Sequence, residues 1–186
     1  MVEGSFVGRE TQSERFNFVA FAADEAYREA NRHLLRLVFD MLPSPFFHLD
    51  VASGTGLVPQ EISRLCAQVG KQGTVVGLDP DPFAVQSARR NTPSTPQCAV
   101  DFVQGMAQDA ELLLAGRMPP QGADYVSIHD ALHEIEEQDK QTVVGSIAGS
   151  VPVALAYGLV AAAAGIPVLR LWLTPEVLTE TFGTIA

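Results

Sequence analysis

Between Phe46 and Ile128 short runs of β-branched, aromatic and other apolar residues alternate with stretches whose apolar positions recur at helical spacing. Nothing else in the chain restricts its fold as much. Strands joined by tight turns run antiparallel, whereas strands separated each time by a helix are joined by crossovers and run parallel. A parallel sheet must be covered on both faces. The alternation therefore predicts an α/β protein of three layers, with helices on both sides of a mostly parallel sheet and right-handed connections. The predicted strands are Phe46–Val51, Thr74–Leu78, Cys98–Val103 and Ala123–Ile128. A chain of 186 residues is long enough for one such domain with a small appendage.

The helices announce themselves through periodicity and end signals. Tyr27, Ala30, Leu34, Leu37, Val38 and Met41 form an apolar stripe over Asp24–Leu42, and Pro43 and Pro45 end it. Val58, Ile62, Leu65, Cys66 and Val69 form a second stripe, with Gly70 as C-terminal cap. Asp81 caps a third helix that has Pro82 in its first turn and runs to about Asn91. A short helix is predicted over Ala107–Leu114 and another over about His133–Ile147. The stretch Gln141–Leu169 carries no charge, and it is interrupted by glycine and proline. It predicts a buried helix or strand pair, packed on the domain or on a partner, rather than a membrane span. Val168–Leu173 is read as one further strand and Pro175–Phe182 as a short helix.

The formal net charge of −10 argues against nucleic acid, because the phosphate backbone repels an acidic chain and no basic patch compensates. Arg89-Arg90 is the densest basic spot, and it reads as a solvated helix face. Cys66 and Cys98 belong to no Cys/His cluster, so no metal site is expected and a reducing, cytoplasmic setting fits. The polar N-terminus lacks the apolar segment of a secretory signal.

In an open parallel sheet ligands bind outside the carboxyl ends of the strands. Three marked loops fall there: Asp50-Val51-Ala52-Ser53-Gly54-Thr55-Gly56, Asp79, and Ser127–Asp130. Small residues in the first loop let a ligand approach the backbone, and an acid at the second can accept hydrogen bonds from ribose hydroxyls. A nicotinamide dinucleotide would use the same architecture, but its GxGxxG pattern puts a glycine where this chain has Pro59.

Asp50–Gly56 resembles the acidic-x-G-x-G-x-G signature of class I S-adenosylmethionine-dependent methyltransferases. Val76-Gly77-Leu78-Asp79-Pro80-Asp81 is similar to that family's second strand with its ribose acid. Phe102–Ala107 resembles its third strand end, and Ala123–Val126 leading to Ala131–Ile135 its fourth. The segments stand in order over about residues 46–148. The resemblance implies a Rossmann-like, doubly wound sheet preceded by a helical lid segment over 1–45, in which Phe16, Phe18, Phe21 and Tyr27 could cover the cofactor or simply pack. A divergent apolar segment follows over 149–186, so the C-terminal part of the sheet is expected to be atypical or incomplete, with the usual closing strands unrecognisable.

The same resemblance implies the cofactor S-adenosyl-L-methionine and a set of roles. Ala52, Ser53, Gly54 and Gly56 would pass under the methionine part, with Asp50 orienting that loop and the amino group. Asp79 would hold the ribose, Pro80 and Asp81 would lie along the adenine, and Met106 and Ala107 would border its ring. Ala52 stands where the first glycine is usual, and Met106 where many members carry an acid that reads the adenine amino group. His129 would sit by the cofactor, and His129 and His133 are the candidate general bases. Asp130 is a further candidate or a helix cap, and His48 is expected to be a satisfied core histidine. The activity expected is methyl transfer to a small molecule. The alternatives are a degenerate or partner-dependent cofactor-binding subunit and, third, an NAD(P)-dependent oxidoreductase. A homo- or hetero-oligomer through the apolar C-terminal segment is also open.

Overall fold

The computed structural model describes residues 23–129 together with 131, 139–140, 142–143 and 157–159. Its elements in chain order are α1 (Glu25–Met41), β1 (Phe46–Val51), α2 (Leu57–Val69), β2 (Gly73–Asp79), α3 (Pro82–Asn91) and β3 (Cys98–Gln104). A 3₁₀ turn (Ala107–Asp109), α4 (Ala110–Leu113), β4 (Tyr125–His129) and β5 (Tyr157–Leu159) follow. The strands form one parallel sheet in the order β3-β2-β1-β4-β5. The chain thus winds outward from β1 through β2 to β3, then returns to the other side of β1 with β4. The carboxyl ends of β1 and β4 flank the switch in strand order, where a parallel sheet opens a crevice.

Both faces of the sheet are covered, and all six residues of β1 are buried. One face packs Phe47, Leu49, Val51, Val76, Leu78, Val126 and Ile128 against Ala110 and Leu114. The other packs Phe46, Val75, Cys98 and Tyr125 against Leu35, Val38 and Phe39 of α1 and Val58, Ile62, Leu65 and Cys66 of α2. Fully burying each such large apolar side chain contributes roughly 1.5–3 kcal/mol. Phe39 meets Phe46 edge-on, with ring centroids 5.9 Å apart.

The helix ends follow the sequence signals. Asp24 caps α1 by accepting from Tyr27 N at 2.9 Å, and Asp81 caps α3 by accepting from Phe83 N at 2.9 Å. Gly70 ends α2 in the left-handed conformation, φ +74°.

Four expectations are corrected. The buried stripe of α1 is Asn31, Leu35, Val38 and Phe39, while Leu37 and Met41 are exposed. The polar Asn31 belongs to the seam because its amide is hydrogen-bonded, which hydropathy does not register. Val69 is likewise exposed at the end of α2. β4 begins at Tyr125 rather than Ala123, because Asp124 is drawn out of the ladder: its carboxylate accepts from Phe47 N at 2.7 Å and its own N–H donates to Phe47 O at 2.8 Å. Finally, a fifth strand exists, Tyr157–Leu159, paired parallel to β4. The strand at 168–173, the helix at 175–182 and Phe16, Phe18 and Phe21 lie outside the described residues.

Candidate cofactor site

Strand alternation puts the polar residues of three strands on one face. Asp50 is in register with Gly77 of β2 and Ser127 of β4, and Gly77 with Phe102 of β3. Neighbours in register on parallel strands point the same way, so Phe102, Gly77, Asp50 and Ser127 form a row across the sheet. One step back along the strands His48 stacks on Tyr125, with ring centroids 4.5 Å apart. One step forward lie Asp79 and His129, at the crevice.

Within this row runs a buried chain of hydrogen bonds. Ser127 Oγ donates to Asp50 Oδ1 at 2.5 Å. Its hydrogen is thereby committed, so His48 Nε2, 2.7 Å from the same oxygen, is the donor to it. His48 Nδ1 carries no hydrogen in that tautomer and has no hydrogen-bond partner among the described residues. Burial, and then the nearby His129, push the His48 pKa down to about 3, which keeps it neutral. Burial pushes the Asp50 pKa up to about 7; the Ser127 hydrogen bond opposes the rise and the neighbouring Asp79 charge adds to it. The expectation of a satisfied core histidine at His48 is met at Nε2.

The loop after β1 is shaped by left-handed residues: Ala52 at φ +55°, Gly54 at +52° and Gly56 at +86°. Ala52 stands where a glycine would be unstrained, and a left-handed conformation costs an alanine roughly 1–2 kcal/mol. Gly56 is required sterically, since a Cβ would come within 2.9 Å of the Phe102 ring and 3.0 Å of the Ala88 Cβ. Gly54 differs: among the described residues a Cβ there would meet nothing within 4 Å. The backbone at Gly54 therefore borders open space, as a surface approached by a ligand requires. Ser53 does not face that space. Its buried hydroxyl, without a hydrogen-bond partner among the described residues, is aimed at Gly77, where an added Cβ would come within 2.7 Å. What Ser53 offers the loop is backbone, with N–H to Leu78 O at 3.1 Å and C=O to Gly56 N at 2.9 Å.

Asp79 ties this loop to the next. Its Oδ2 accepts from Gly54 N at 2.7 Å and its Oδ1 from Asp81 N at 2.9 Å. Both carboxylate oxygens thus hold backbone N–H groups, one in each of the two loops. The end of β3 joins through Gly105 N to Asp79 O at 3.0 Å. Pro80 is exposed, and Met106 and Ala107 are half-buried beyond β3. His129 is half-buried at the end of β4, where Nδ1 lies 2.7 Å from Asn31 Oδ1 of α1. His133 and Asp130 lie outside the described residues. Among the described residues no group of three His, Cys, Asp or Glu could hold a metal, and no helix is long and apolar enough to cross a membrane.

The structure thus places Asp50, Gly54, Gly56, Asp79 and His129 at or near the carboxyl ends of β1, β2 and β4. Sequence reasoning missed Ser127 and Asn31 as partners of this group. A usable signal was present in β1 and β4: His48 and Asp50, like Ser127 and His129, are polar residues spaced by two in otherwise apolar strands.

A parallel sheet with a small-residue loop after β1, an acid ending β2 and a switch in strand order between β1 and β4 is the architecture shared by nucleotide-binding α/β proteins. Within that class, residues 49–151, more than half of the chain, match the family described as methyltransferase domain. The chain belongs to this family, the class I S-adenosylmethionine-dependent methyltransferases. No curated protein matches the sequence. Solved structures share the fold at low identity. A SAM-dependent methyltransferase from Archaeoglobus fulgidus is 15% identical over 76% of this chain and 56% of its own, with a TM-score of 0.51. The magnesium protoporphyrin IX methyltransferase ChlM from Synechocystis PCC 6803, solved with bound SAM, is 14% identical over 79% and 70%, with a TM-score of 0.55. The plantazolicin methyltransferase BamL, in complex with a triazolic desmethylPZN analog and SAH, is 15% identical over 77% and 50%, with a TM-score of 0.53. The chain spans 56% of the length of the first and 50% of the third.

Proposed function

We propose that this chain binds S-adenosylmethionine across the carboxyl ends of β1, β2 and β4 and transfers its methyl group to a small molecule. The observation that carries the reading is the Asp79 carboxylate, an acceptor-only group at the end of β2 that is fixed by Gly54 N and Asp81 N next to the left-handed Gly54 turn. That is the donor-acceptor match a ribose diol needs. Asp79 holds the ribose hydroxyls, and the backbone of Ala52, Ser53, Gly54 and Gly56 runs beneath the methionine part. Asp50 contributes a negative potential from beneath that loop. Pro80, Met106 and Ala107 border the adenine by apolar contact.

The cofactor supplies a methyl group already activated on a sulfonium. The residues around it have mainly to orient, and well-oriented intramolecular reactions reach effective molarities of about 10⁵–10⁸ M. His129 receives a proton where the acceptor must lose one; His133 is the second candidate. A net charge of −10 favours an uncharged or cationic acceptor over a polyanion. The acceptor of the structurally similar ChlM, magnesium protoporphyrin IX, is in keeping with a small molecule. The same readings support the division into a lid segment over 1–45, a core over 46–148 and a distinct C-terminal segment over 149–186, in a cytoplasmic protein.

Titration calorimetry with S-adenosylmethionine and S-adenosylhomocysteine, with Asp79→Ala as control, tests the proposal. Saturable one-to-one binding is expected, weakened at least about tenfold in the variant, since a hydrogen bond to a charged group contributes roughly 1.5–3 kcal/mol. No binding by wild-type protein with intact circular dichroism would overturn the reading in favour of a degenerate core.

A further inference from the structure

Asn31 is the one polar residue in the buried stripe of α1, with 2% of its surface exposed. A buried amide is costly unless its hydrogen bonds are made. Its Nδ2 donates to Tyr27 O at 2.9 Å, and its Oδ1 lies 2.7 Å from His129 Nδ1. The Tyr27 carbonyl can only accept, so the amide must turn its nitrogen to Tyr27 and its oxygen to His129. Oδ1 in turn can only accept, so His129 Nδ1 must carry the hydrogen. In the neutral ring the basic lone pair is then on Nε2, an atom enclosed within the protein rather than open to solvent.

The placement of Asn31 is itself held from several sides. Arg32 pairs with Glu25 at 2.8 Å and reaches Glu61 of α2 at 3.8 Å, and Leu35, Val38 and Phe39 anchor the same helix in the core. Glu61 is fixed in turn by Arg64. From β1, His48 is held neutral by burial and by the nearby His129, so it adds no charge near that ring.

From this geometry we infer that Asn31 is a positioning residue for methyl transfer: it locks His129 in the Nδ1–H tautomer and makes Nε2 the atom that accepts the acceptor's proton. The inference rests on the reading of His129 as the base. In the step it serves, the bond from the acceptor atom to hydrogen breaks and an N–H bond forms at Nε2. The electron pair released on the acceptor takes the methyl carbon as the carbon–sulfur bond breaks toward sulfur. The resulting imidazolium keeps its Nδ1–H on Asn31 Oδ1, where a neutral carbonyl dipole stabilises the new charge.

Long-range ¹H–¹⁵N spectra of the labelled full chain test this at pH 8 with no ligand present, the His129 signals being assigned by their loss in His129→Gln. A protonated Nδ1 and an unprotonated Nε2 are expected in the wild type. Asn31→Leu should lose that preference. Asn31→Asp, which keeps an acceptor oxygen, should retain it and raise the His129 pKa by about one unit, as a new anion beside an imidazole does. A wild-type ring protonated at Nε2 would overturn the inference, as would an unchanged tautomer in Asn31→Leu. If Asn31→Leu does not fold, the wild-type tautomer and the Asn31→Asp shift decide. No cofactor is present in these samples, so a failed cofactor titration and a failed tautomer assignment are separate results.

Discussion

Asp50 is a carboxyl group with almost no solvent contact, and its neighbours do little to stabilise its charge. Its pKa of about 7 in the fold lies above the ordinary 3.8, so the folded chain holds a proton that the unfolded chain has released. Stability from this residue is complete below about pH 4 and is lost as pH rises toward 7, at up to about 1.4 kcal/mol per unit. Denaturant titrations from pH 4 to 8 should show wild type losing stability relative to Asp50→Asn over that window; parallel curves would refute the linkage. A cationic ligand reverses the preference and draws the proton off. Binding of S-adenosylmethionine should therefore tighten as pH rises to about 7 and then level off, more steeply than binding of the uncharged-sulfur product. Asp50 and Asp79 were legible in the sequence because each puts an acid at the end of an apolar run. A charge is costly in a buried strand, so it stands out at the strand end where a ligand or a loop can meet it. Ser127 was marked only by its place at the end of β4 and Asn31 not at all, because a hydroxyl or an amide takes its role from a partner 77 or 98 residues away.

At the level of elements, the loop over Ala52–Gly56 separates two demands on glycine. Gly54 leaves space for something outside the protein, whereas Gly56 leaves space for Phe102 and Ala88. Gly56→Ala should destabilise the fold and weaken cofactor binding together. Gly54→Ala should cost about 1 kcal/mol in stability from its left-handed backbone, yet weaken cofactor binding at least tenfold. Thermal melts beside calorimetry separate the two, and equal losses of affinity per unit of stability would contradict the assignment. Caps and periodicity made the helices legible to within a residue or two, since these signals are local. The buried face of α1 was not, because hydropathy sorts residues by side-chain type while burial of Asn31 depends on hydrogen bonds to Tyr27 and His129. The start of β4 was hidden for a similar reason: only the position of Phe47 reveals why Asp124 leaves the ladder.

For the whole molecule, alternation of strands and helices disclosed the layers and the parallel sheet, but not the strand order. That order depends on which side of β1 receives β4, and nothing local encodes it. β5 went unrecognised because in an uncharged apolar stretch no periodicity stands out against the background. A cofactor joining three strand ends should stabilise the fold as a unit. At a hundred times its Kd, S-adenosylmethionine should add about 2.7 kcal/mol, or roughly 5–10 °C in Tm for a domain of this size. Calorimetric scans should find this rise in wild type and its loss in Asp79→Ala; no rise in wild type would contradict it. The pairing of Asp50 with Ser127 has a consequence for how β4 finds its place. The central strands are nearly continuous in apolar character, so hydrophobicity discriminates poorly between correct pairing and a slip. A slip by one residue would turn Ser127 to the opposite face from Asp50. It would strand a carboxyl group, and with it the His48 ring, against side chains that offer neither a donor nor an acceptor. The polar row through the sheet thus proofreads strand alignment against a one-residue slip: the observed register gives these buried groups their partners.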